Sequence, residues 1–244
     1  MLCHDQPPGL DRNYPLSAAF LDPPGPNDQL IAALRAFYLD SSFVTFYEDH
    51  RPEYQETVDT AAAYLGGERD IVGLLEAYFG VQKDRYVGIF SLHLPGGKGV
   101  AIRHDAEVDC YALFLGEYMI LHEFAHSFVN PVTTDFAREL SAYSQLYVST
   151  GSSYAGWMTC VNEHLIRALT SRVYAILDGE EEGLRHLLGE ERAGFVYVRS
   201  IYDLFEEYEA QRDVYPDLRS FYPRILDLFA ELLSQQDQAV RPGV

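Results

Sequence analysis

The stretch "YMILHEFAHSFVNP", Tyr118–Pro131, limits the fold more than any other part of the chain. Met119, Ile120, Leu121, Phe124, Ala125, Phe128 and Val129 supply the apolar spacing of a buried helix. His122, Glu123 and His126 interrupt that run with three ionisable groups. They form an H-E-x-x-H pattern, in which positions i and i+4 lie on one helix face about 6 Å apart. Both imidazoles can then reach a single ion, while Glu123 projects beside it. Burying two imidazoles and a carboxylate among apolar side chains is costly unless something compensates them. A metal ion supplies that compensation, so the chain is expected to build a helical core around a polar centre.

Composition narrows the class. The chain has 244 residues, 48% hydrophobic and 23% charged, which suits a globular domain with a sizeable core. A formal net charge of −19 argues against nucleic acid as a partner, because phosphates demand Lys/Arg-rich surfaces. It argues equally against docking on anionic membranes. Cys3, Cys110 and Cys160 are too sparse for a disulfide framework and are expected to be reduced thiols. No apolar run approaches the ~18 residues of a membrane span. No basic segment followed by an apolar stretch opens the chain, so a cytoplasmic location is expected, with a secreted form whose leader was removed as the alternative.

Residues 1–27 are rich in Pro and Gly and are expected to be an irregular lead-in. Residues 28–235 are expected to form one catalytic domain of α+β class, mostly helical, with one small antiparallel sheet before the metal helix. Its N-terminal part, 28–80, is helical, with Leu30, Ile31, Leu34, Phe37 and Tyr38 on one stripe and a second helix over 52–65. "RYVGIFSLHL", "GVAIRH" and "VDCYALFL", separated by the turn signal "PGGKG", are expected to make the sheet within 85–115. The metal helices occupy 117–177, read as helices near 117–129, 133–148 and 156–177. A helical C-terminal part follows at 179–235, and 236–244 is a tail. The aromatic stripe Tyr197, Tyr202, Phe205, Tyr208, Phe221, Tyr222 and Phe229 is expected to be core.

A hydrolytic zinc site needs a third protein ligand and one open position for water. Downstream candidates are Asp135, Glu139, Glu163 and His164. Glu163 is favoured, with Glu139 next. It sits in "WMTCVNEHLIRAL", a second apolar helical run, where Cys160, Glu163 and Arg167 share a face and Arg167 could hold the carboxylate.

"HExxH" on one helix and an "NE" dipeptide on a later one resemble the thermolysin-like gluzincin metallopeptidases. More narrowly, "HEFAHSFVNP" followed by "NEHLIRA", with the earlier "FYEDHRPEY", is similar to a bacterial family of metallopeptidase-like domains of unknown function, over roughly residues 28–235. The resemblance implies a zincin-like fold, zinc on His122, His126 and Glu163, and Glu123 as general base. It also implies a peptide or protein substrate. The pattern departs from thermolysin after "NE", where Arg167 appears and that group continues towards an aspartate.

In such a site Glu123 takes a proton from an attacking water and returns it to the leaving amine. An oxyanion donor is also required. Tyr154, in "STGSSYAGW", is the first candidate, with Tyr147, His104 and His164 as rivals. The "GVAIRH" strand is the candidate edge for pairing with an extended peptide. A di-iron carboxylate oxidase would need a second E-x-x-H, which the chain lacks. A metal-stabilised, non-catalytic interaction module is the other reading, against which stands the intact Glu123.

Overall fold

A computed structural model of the chain describes residues 24–67, 69–90, 98–104, 107–114, 117–150, 154 and 156–240. The lead-in expected at 1–27 therefore lies outside the described residues up to 23, and helix α1 (Pro24–Asp40) begins slightly before the expected start. Helix α2 (Phe43–Gly66) is longer than the stretch expected from 52 and contains Pro52. The stripe on α1 is largely uncovered: Ile31 is buried, but Leu30, Leu34 and Phe37 are exposed.

Helix α3 (Ile71–Phe79) is held by both caps. The Asp70 carboxylate accepts the Gly73 N–H at 3.1 Å. Gly80 ends the helix at φ +65°, where a side chain would also strike the Pro216 carbonyl. That close approach ties α3 to the start of the last helix.

Three strands follow: β1 (Arg85–Phe90), β2 (Lys98–His104) and β3 (Glu107–Phe114). Their order is β1-β3-β2, with β2 antiparallel to β3 and β1 parallel to it. This corrects the all-antiparallel expectation. "PGGKG" does not join paired neighbours, because β1 and β2 lie on opposite sides of β3. The tight connection is between β2 and β3, whose register begins at His104 opposite Glu107.

Helix α4 (Glu117–Asp135) carries the histidine motif and packs against β2 and β3. It runs through Pro131, where the sequence pattern suggests a break. A proline leaves the carbonyl four residues earlier without its N–H. That carbonyl, on Ser127, instead accepts Lys83 Nζ at 3.1 Å. The expected helix over 133–148 is replaced by two short ones, α5 (Ala137–Ser141) and α6 (Leu146–Ser149).

Helix α7 (Trp157–Asp178) runs through the middle of a mostly helical body, packed against α4, α8 (Glu180–Arg192) and α9 (Val198–Ala210). Helix α10 (Leu218–Val240) is preceded by Asp217, whose side chain accepts the Ser220 N–H at 2.7 Å. It extends into the expected tail. Every residue of the predicted aromatic stripe is buried. Among the described residues, no helix is long and apolar enough to cross a membrane.

Candidate metal centre

The centre is built where α4 crosses α7. Ile120, Leu121, Phe124, Ala125 and Val129 of α4, and Val161, Leu165 and Ile166 of α7, are almost wholly enclosed. They clamp the two helices together by their apolar faces. His122, Glu123 and Glu163 are buried in the same contact, with His126 partly buried at its edge. His122, Glu123 and His126 bring candidate ligand atoms within 4.8 Å of one another.

Glu163 meets both imidazoles. Its Oε2 lies 3.6 Å from His122 Nε2 and its Oε1 lies 3.6 Å from His126 Nε2. These separations are too long for hydrogen bonds. They are close to the ~3.3 Å between neighbouring ligands on a tetrahedral ion with bonds of about 2.0–2.1 Å. Burial, reinforced by the Arg167 charge and by His126, pushes the His122 pKa down to about 3. Its imidazole is therefore neutral near pH 7, the form in which a histidine ligates a metal. Two imidazoles and one carboxylate suit zinc, whose ligand sets combine nitrogen and oxygen donors in this way. The residues fit such an ion.

The other candidate ligands point elsewhere. Asp135 and Glu139 are exposed, and Asp135 is paired with Arg219. His164 is buried, with Nδ1 2.7 Å from the Cys160 carbonyl and its ring against Phe195 and Tyr197. Cys160 faces His164, with Sγ 3.5 Å from the same ring nitrogen.

Tyr154 comes to the site. Its hydroxyl donates to Glu163 Oε2 at 3.2 Å and accepts from Arg167 Nη2 at 3.3 Å. Burial, and then the Glu163 charge, raise its pKa, so it remains a donor at neutral pH. The rival Tyr147 serves differently: its hydroxyl donates to the Tyr154 carbonyl at 2.5 Å and steadies that residue's backbone. The side chain of His104 lies outside the described residues. Arg167 reaches Glu163 as expected, with Nη2 3.4 Å from Oε2.

Three contributors escaped the sequence reading. Asn130 Oδ1 lies 3.2 Å from His126 Nδ1, fixing the far side of that ring. Tyr118 stacks on His122 with ring centroids 6.0 Å apart. Both continue the spacing of four that links 118, 122, 126 and 130 on one helix face, so the signal was present. Glu190, from α8, bonds both Tyr118 and Arg167, and no spacing in the sequence announces it.

Fold and centre together define a mostly helical protein with a buried His-Glu-His cluster, capable of holding a metal and faced by a glutamate from a second helix. A family model described as Domain of unknown function (DUF4932) matches residues 18–228, and the chain belongs to that family. No curated protein and no solved structure gives a significant match.

Proposed function

We propose that the protein is a zinc-dependent metallohydrolase of the gluzincin kind, with a zincin-like fold, that cleaves peptide bonds. The observation that carries this reading is the Glu163 carboxylate, held 3.6 Å from both motif imidazoles by a separate helix. His122, His126 and Glu163 would hold the ion. When bound, zinc lowers the pKa of a water towards about 7 and polarises a carbonyl. Glu123, buried beside the imidazoles, accepts the proton of the attacking water and hands it to the leaving amine. The Tyr154 phenol turns its hydrogen from Glu163 towards the developing oxyanion. Strand β2 lies at an edge of the sheet against α4, where an extended peptide can add by main-chain hydrogen bonds.

The test combines metal analysis with turnover of mixed peptides. Glu163→Ala is expected to lose zinc. Glu123→Gln is expected to retain zinc and lose activity by about 10²–10⁴-fold. Full metal retention in Glu163→Ala would remove the ligand assignment, and unchanged hydrolysis by Glu123→Gln would remove the mechanism.

A further inference from the structure

Arg167 divides its guanidinium between two carboxylates, and the division is unequal. Nη1 donates to Glu190 Oε2 at 2.8 Å, whereas Nη2 stands 3.4 Å from Glu163 Oε2. Glu190 is itself buried and held by the Tyr118 hydroxyl, which donates to Oε1 at 2.5 Å. The Phe195 ring covers the guanidinium 4.0 Å from its centre, and Nε has no partner among the described residues. Helix α8 is placed to deliver this carboxylate because Gly183 lets it lie close on α7. A Cβ there would meet Ala175 Cβ at 2.5 Å and the Ser171 carbonyl at 2.8 Å. Glu190 follows Gly183 by about two turns, on the same face of α8.

An arginine beside a single carboxylate tends to close on it as a two-pronged pair. On Glu163 that closure would occupy the oxygen lone pairs that face His122 and His126. The structure shows the arginine drawn away towards a competing acid. We propose that Glu190 is a positioning residue that restrains Arg167, keeping the Glu163 carboxylate available to the metal and the Tyr154 phenol in reach of the site. The inference rests on the metallohydrolase reading and adds a residue to it. It is distinct from an ordinary helix-to-helix ion pair, because it makes loss of Glu190 harmful only while Arg167 is present.

The experiment measures zinc affinity by competition with a chelator, alongside thermal melting, for wild type, Glu190→Gln, Arg167→Met and the double variant. Glu190→Gln is expected to weaken zinc binding by about tenfold or more, the size typical of residues that support a ligand. Adding Arg167→Met is expected to restore most of that loss, a strong negative departure from additivity. Equal zinc affinity in wild type and Glu190→Gln overturns the inference. So does a double variant that binds as weakly as Glu190→Gln or more weakly. If Glu190→Gln does not fold, Glu190→Asp replaces it, keeping the charge with a shorter reach. A fall of about threefold, reversed by Arg167→Met, is then expected, and an unchanged affinity overturns the inference. A wild type that binds no zinc overturns the metallohydrolase reading and this inference together, whereas zinc binding indifferent to Glu190 overturns the inference alone.

Discussion

Helix α7 carries two arginines five residues apart, the half-buried Arg167 and the buried Arg172, and they serve different ends of the molecule. Arg172 is saturated. Its Nε donates to Glu209 at 2.9 Å, its Nη1 to Glu206 at 3.0 Å, and its Nη2 also bonds Glu209. The Tyr202 ring lies 4.6 Å from its centre, and Tyr78 donates to the same Glu209 oxygen that receives Nε, at 2.8 Å. Arg167 has one short bond, from Nη1 to Glu190 at 2.8 Å, but on the side of the metal centre its contacts are 3.3 and 3.4 Å, and its Nε has no partner among the described residues. A network built for stability satisfies its donors at short range, because each unmet buried group costs about 1–3 kcal/mol. A network that leaves such a group open, among imidazoles and a carboxylate, is incomplete in the way a binding site is. The difference teaches that burial and ion pairing alone do not mark the functional end of this helix; the unfinished bonding does.

The comparison breaks most visibly at Arg172. Arg172→Met keeps the stem and removes the charge, leaving Glu209 without its cation and with only the Tyr78 hydroxyl as donor. Denaturant unfolding is expected to show a loss of about 3 kcal/mol, at the low end for a buried pair because Glu206 and Glu209 are partly solvated. Zinc affinity is expected to be unchanged in the folded variant. A zinc affinity that falls in step with stability would show that the two arginines share one network, and the contrast would be lost.

Tyr154→Phe sharpens the other end. Removing one hydroxyl is expected to lower kcat by about 10²-fold, the size of a lost oxyanion donor, with zinc content unchanged. An unaltered kcat would assign the phenol only to holding Glu163. Much of this centre was legible beforehand, for physical reasons. His122, Glu123 and His126 stand at fixed spacing within one helix, and Glu163 stood out as a charge in an apolar run, favoured over Asp135, Glu139 and His164 but not singled out by periodicity alone. Tyr154 was suggested by its place before the Glu163 helix. Glu190 was not legible, because it arrives from another helix through packing at Gly183, and its own surroundings, "GEERAG", look like any solvated helix end. The fold divided in the same way. The aromatic stripe of α9 and α10 follows from its period. The partners of β1 and β2 do not, since pairing across β3 depends on contacts distant in sequence. Pro131 misled as a helix stop because its cost is met by Lys83, a residue far away in the chain.

The smallest effect belongs to Asn130, one turn beyond His126 and outside the immediate ligand set. Its Oδ1 is 3.2 Å from His126 Nδ1 and can accept that N–H, which leaves the lone pair on Nε2, the nitrogen facing Glu163. Asn130→Ala frees the ring to rotate and to change tautomer while leaving the helix intact. Zinc affinity is expected to fall by about tenfold, the lower end for a partner that orients a ligand. Asn130→Asp accepts the same N–H with a full charge and is expected to bind at least as tightly as wild type. Tight binding by both variants would show that the packing of α4 against α7 suffices to orient His126. The saturated bonding seen around Arg172 would then have its counterpart at the metal centre in packing alone.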